Sequence, residues 1–179
     1  MPSDSGSIPF HVILGSAYLA AGDAASARRL SELLTERIKA DGDQMGEDTL
    51  RQCRILEARG RCAEGDPEHA IESLESEAQL STQPDPDLHM GLAEAYAAVG
   101  RWEDTDRALR GLIDLRWDSY EGLVPWISAH YRLGQVSERL DNPRQAVVWY
   151  RRYLDLWGAA DSDLKQINLA RDRLEALGG

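Results

Sequence analysis

Four histidines, two cysteines and one carboxylate-rich loop are the side chains of this sequence best suited to metal or acid–base chemistry, and their spacing decides what they can do. His11, His69, His89 and His130 are scattered along the chain, and neither His-x-x-x-His nor Cys-x-x-Cys occurs, so a zinc site would need distant segments to converge. Cys53 and Cys62 fall within one expected helix, where nine steps of about 100° put them on opposite sides, too far apart to bridge. Asp41, Asp43 and Gly46 occupy the first, third and sixth places of a calcium loop. The fifth place is Met45 and the twelfth is Gln52, so two ligands are missing, the bidentate carboxylate among them. The loop reads instead as a polar connection whose Glu47 and Asp48 favour the start of the next helix through its dipole. No Gly-x-Ser-x-Gly elbow, phosphate-cradling Gly-Lys-Thr loop or dinucleotide glycine cluster is present. The sequence therefore reads as non-catalytic, with no cofactor and no metal.

Charge narrows the partners further. Against 31 Asp and Glu stand 20 basic residues, and the net charge of -11 argues against nucleic acid, whose capture rests on neutralising phosphates. Only Lys39 and Lys165 are lysines. The arginines favour planar, bidentate pairing with carboxylates, and Arg28-Arg29 and Arg151-Arg152 read as solvated helix faces. No run approaches the roughly 18 apolar residues of a membrane span. Two unpaired cysteines suit a reducing compartment. Residues 1–8 read as a disordered N-terminus without the basic and apolar regions of a secretion signal, which makes the cytoplasm the expected location.

The elements that must position these side chains are helices, since apolar residues recur at helical spacing from end to end and nowhere alternate as a half-buried strand requires. Breakers at Gly22-Asp23, 41–48, Gly65-Asp66-Pro67, Pro84-Asp85-Pro86, Gly100, Gly122 with Pro125, Asp141-Asn142-Pro143 and 158–161 separate nine segments. They are expected near 9–21, 24–40, 47–64, 67–80, 87–99, 102–114, 124–140, 143–157 and 163–177. Among the aromatic residues crowding the last third, Trp149, Tyr150, Tyr153 and Trp157 follow helical spacing and are expected mostly in the core.

Superposing the turns exposes a repeat. Gly22, Gly65, Gly100 and Asp141 suit helix C-termini needing positive φ, and Ala27, Ala70, Thr105 and Ala146 follow each by five positions, small enough for a second helix to lie close to the first. Upstream stand Gly15 with Tyr18, Ala93 with Tyr96 and Gly134 with Ser137, again a small residue three before a larger one. This pattern resembles the tetratricopeptide repeat, an antiparallel helix pair of about 34 residues. Leu92, Ala93, Tyr96, Gly100, Thr105 and Leu109 form the best copy, and Leu14, Gly15, Tyr18, Gly22 and Ala27 another. The copy at Ala58, Gly65, Ala70 and Leu74 has Arg61 where the tyrosine would stand, and the last comprises Leu133, Gly134, Ala146 and Tyr150. The ending, with Leu164 to Leu177, is similar to the last repeat and capping helix of bacterial members of the family.

The resemblance implies an all-α, right-handed α-solenoid of about four antiparallel helix pairs plus a C-terminal capping helix, a single domain over 9–179. It implies a protein or peptide partner held in the concave groove lined by the first helix of each pair. The groove edge then comprises Val12 and Ser16, Ile55 and Arg59, Met90 and Glu94, and Tyr131 and Gln135, of which Ile55, Arg59, Met90, Glu94, Tyr131 and Gln135 are the expected partner-binding set. Members that clamp the carboxylate tails of chaperones use Lys, Arg and Asn at these edges; one cation beside Glu94 does not suit that ligand. An alternative is a regulatory segment of a larger bacterial signalling protein such as a serine/threonine kinase, with catalysis on another domain. The first helix opens at once with Pro9, Phe10, Val12, Ile13 and Leu14 instead of a polar cap, so it is expected either to continue a longer solenoid or to pack on a second copy as a homo-oligomer.

Overall fold

A computed structural model describes residues 7–41, 46–80, 85–115, 123–157 and 165–178. Helices form where the apolar periodicity places them: α1 (Ser7–Ala20), α2 (Ala24–Asp41), α3 (Glu47–Ala63), α4 (Pro67–Leu80), α5 (Pro86–Ala98), α6 (Trp102–Asp114), α7 (Leu123–Arg139), α8 (Pro143–Trp157) and α9 (Lys165–Ala176). No strand occurs among the described residues. α1 opens at Ser7, two residues before its expected start, because Pro9 falls in the first turn, where its missing N–H has no helical partner to lose. Residues 1–6 of the expected disordered terminus, positions 42–45 of the calcium-like loop, the linker at 116–122 and the acidic turn at 158–164 lie outside the described residues.

The connections alternate between short and long. Three residues join α1 to α2, α3 to α4, α5 to α6 and α7 to α8, a length that folds consecutive helices back antiparallel. The expected turn positions all take positive φ: Gly22 (79°), Gly65 (97°), Gly100 (75°) and Asp141 (53°). At three of them the same pair of hydrogen bonds closes the helix. Gly22 N–H reaches Leu19 C=O and Asp23 N–H reaches Tyr18 C=O, with Gly65 to Cys62 and Asp66 to Arg61, and Asp141 to Glu138 and Asn142 to Ser137, repeating the pattern. The next helix is then capped by the turn itself. Asp23 accepts from Ser26 N–H at 3.0 Å and Asn142 from Gln145 N–H at 3.3 Å.

The chain divides into two compact units, Met1–Gln83 with Glu94–Val99 and Pro84–Ala93 with Gly100–Gly179, the division falling within α5. In the first, α1 packs on α2 and both pack on α3, which pairs with α4. Val12, Leu34, Cys53 and Leu56 form the core of that packing. A Cβ on Gly15 would stand 2.5 Å from Leu56 Cδ2, so the glycine sets how closely α1 and α3 approach. In the second unit α7 packs on α6 and α8, and α9 packs on α8. Here Ile127, Tyr131, Tyr150, Tyr153, Ile167 and Ala170 share one core, which α9 closes. The small residues Ala27, Ala70, Thr105 and Ala146 are all buried.

Candidate functional site

On the first helices of the first unit, Ile55 and Arg59 lie one turn apart on α3 and are 1% and 4% exposed. The Arg59 guanidinium does not project freely. Its Nε donates to Glu94 Oε2 on α5 at 3.1 Å and its Nη1 to Ser16 Oγ on α1 at 3.4 Å, so three of the expected edge residues meet in one polar network. A buried guanidinium is tolerated only when its donors are matched in this way. Glu94 retains the solvent access of the pair, with 20% of its side chain exposed. Beside it, Tyr96 donates to Glu75 Oε1 at 2.8 Å, tying α5 to α4.

In the second unit, Met90 and Tyr131 are 4% and 8% exposed. The Tyr131 ring packs 5.7 Å from that of Tyr150 and 5.3 Å from that of Tyr153, and burial pushes its phenol above the usual value. Gln135, one turn on and exposed, donates from Nε2 to the Tyr131 hydroxyl at 3.3 Å. Ile55, Met90 and Tyr131, expected as large groove-edge contacts, therefore serve chiefly in packing. Glu94 and Gln135 carry the accessible polar surface of this set.

A second aromatic group in the same unit follows from spacing only in part. His130 is buried, with ring centroids 4.7 Å from Trp126 and 5.8 Å from Trp149. Its Nδ1 lies 2.9 Å from the Trp126 carbonyl oxygen, and burial holds the imidazole below its ordinary value, hence neutral near pH 7. Arg110 sits 5.4 Å over the Trp149 ring, and Trp126 Nε1 donates to the Ile113 carbonyl at 3.1 Å. Farther along α7, Glu138 accepts from Tyr150 at 2.6 Å and pairs with Arg173 of α9; the Arg173 guanidinium holds the Glu138 carboxyl below the usual range. Among the described residues no three His, Cys, Asp or Glu side chains are grouped as a metal would need.

The first unit also contains a cleft of about 580 Å³ that spacing alone does not expose. Its α2 wall is Arg28, Ser31, Glu32, Thr35, Glu36 and Lys39, and its α3 wall is Glu57, Gly60, Arg61 and Glu64, with Asp66 at the turn. Each set follows helical spacing, but nothing in the spacing says that the two faces meet.

No protein-family profile and no curated protein matches the chain. Its fold is nevertheless shared with solved structures. A Podosopora anserina kinesin light chain protein of nearly identical TPR-like repeats superposes with a TM-score of 0.63 at 17% identity, covering 99% of this chain and 87% of that one. Two structures of MamA give 0.56 and 0.57 at 19% and 21% identity, covering 96% and 91% of this chain and 86% and 89% of theirs. The fold is that of tetratricopeptide-like helical repeats. No helix among the described residues is long and apolar enough to cross a membrane.

Proposed function

We propose that the protein is a non-catalytic interaction scaffold that holds a peptide or partner surface against the first helices of its pairs. The observation that carries this reading is the fourfold recurrence of one helix pair with a left-handed residue at the same turn position, an architecture that repeats a surface instead of building a single catalytic pocket. In the first unit the binding face comprises the Arg59–Glu94 pair supported by Ile55; in the second it comprises Gln135 supported by Tyr131 and Met90. Binding on a preformed framework leaves little ordering cost to the protein. The test is capture from the source lysate by the intact chain and by Gln135→Arg, a substitution at an exposed position that preserves the helix. A retained protein whose affinity falls several-fold with the variant supports the reading. A partner bound equally by both removes the α7 face from it.

One observation favours a second contact. Phe10 and Ile13 are 62% and 48% exposed on α1, a helix with no charged residue, which suits packing on a second copy of the chain. Sedimentation should then show a dimer that Ile13→Glu dissociates.

A further inference from the structure

We propose that the cleft between α2 and α3 binds a basic peptide segment, admitting an arginine or lysine side chain over Gly60. The proposal rests on the scaffold reading but uses none of the residues assigned above.

Gly60 is the first reason. Gly15, Gly111 and Gly134 are each required by a neighbour, since an added Cβ would come within 2.5–2.7 Å of Leu56, His89 or Tyr150. At Gly60 nothing lies within 4 Å. A glycine inside a helix costs about 0.5–1 kcal/mol relative to alanine, and here no packing contact repays it. Its consequence is an open floor.

Ser31 is the second. It faces Gly60 across the cleft, is 9% exposed, and its hydroxyl has no hydrogen-bond partner among the described residues, although its carbonyl accepts from Thr35 Oγ1 at 2.9 Å. On the wall of the cleft, that hydroxyl can accept from a donor that enters.

Charge selects the donor. The walls carry five carboxylates and three cations. Arg28 is already closed on Glu64 at 3.1 Å and Glu32 at 3.8 Å, and Arg61 on Glu57 at 3.1 Å, so the arginines brace the walls. With Lys39 counted against Glu36 and Asp66, the five carboxylates still exceed the three cations by two, and the negative opening is matched to a guanidinium or ammonium group. The volume of about 580 Å³ lies within the range of small-ligand sites, about 300–1,000 Å³.

The test measures fluorescence anisotropy of a labelled peptide of alternating arginine and glycine with the full chain, at low salt. A chain of net charge -11 attracts any cation, so the deciding variant changes volume without charge. Gly60→Met puts a side chain on the floor of the cleft, where nothing lies within 4 Å of an added Cβ, and favours the helix. It should weaken the peptide about tenfold or more with the melting temperature unchanged or raised. Glu36→Lys should weaken binding while Glu175→Lys, of equal net charge on α9, leaves it unchanged, and this pair decides the matter should Gly60→Met unfold. Equal affinity for Gly60→Met in a folded chain, equal effects of the two charge reversals, or no binding at about 1 mM peptide would each overturn the proposal. So would equal affinity for a glutamate–glycine peptide. A partner held on the first-helix faces would survive Gly60→Met, so failure here leaves the scaffold reading standing.

Discussion

At Arg59 desolvation and pairing oppose each other, and the geometry decides which wins. The guanidinium is almost fully buried and Glu94 and Ser16 are among the groups that match it, so the buried charge depends on such pairing. Glu94→Ala, which removes a carboxylate paired with the buried cation, should cost about 3 kcal/mol in urea unfolding, and Arg59→Met with Glu94→Leu should cost markedly less than that single change. A double variant as unstable as Glu94→Ala would show that the pair contributes net stability of its own. His130 makes a second prediction. Burial lowers its folded-state value below the 6.5 of a free imidazole, so below that pH the unfolded chain binds more protons than the folded one. The contribution of His130 should be fully present well above pH 6.5 and decline as the pH falls through 6.5 toward the lowered folded value. His89, lowered by the same cause, adds to the decline. His130→Phe should flatten part of it in thermal melts taken between pH 5 and 7, above the range where Glu138 and Asp104, both held low by arginines, begin to titrate.

Among the elements, the second helix of each pair lies against the first because something small stands at the crossing. In α7 that residue is Gly134, where an added Cβ would come 2.5 Å from Tyr150 Cε1. Gly134→Ala should therefore destabilise by about 1–3 kcal/mol through overpacking, despite alanine's better helix propensity, and Tyr150→Phe should not rescue it because the ring itself is the obstacle. Recovery in Gly134→Ala with Tyr150→Leu would place the strain at this contact. Such positions were legible in advance. Gly22, Gly65, Gly100 and Asp141 declared the turns because positive φ restricts residue type, and the small residues five places later declared the crossings. The groove edge was legible only as helical positions. Burial at Ile55, Met90 and Tyr131 depends on which neighbour covers each face, and Tyr131 is covered by Tyr150 and Tyr153 from the next helix. The α2–α3 cleft was hidden for the same reason.

On the scale of the whole molecule, every packing contact described joins helices adjacent or next but one in sequence, from α1 on α3 to Glu138 of α7 on Arg173 of α9. A fold of this kind has no single centre through which every element is stabilised; its stability is close to a sum of local units and nearest-neighbour interfaces. Damage should therefore stay local. Gly15→Ala forces a Cβ to 2.5 Å from Leu56 Cδ2 and should loosen α1 and its contacts with α2 and α3. Native-state hydrogen exchange should show those amides opening faster while α8 and α9, anchored by Tyr150, Tyr153 and Ile167, keep the protection of the parent. Uniform loss of protection from α1 to α9 would mean that the chain opens as one cooperative body, and the additive account of its stability would then be wrong.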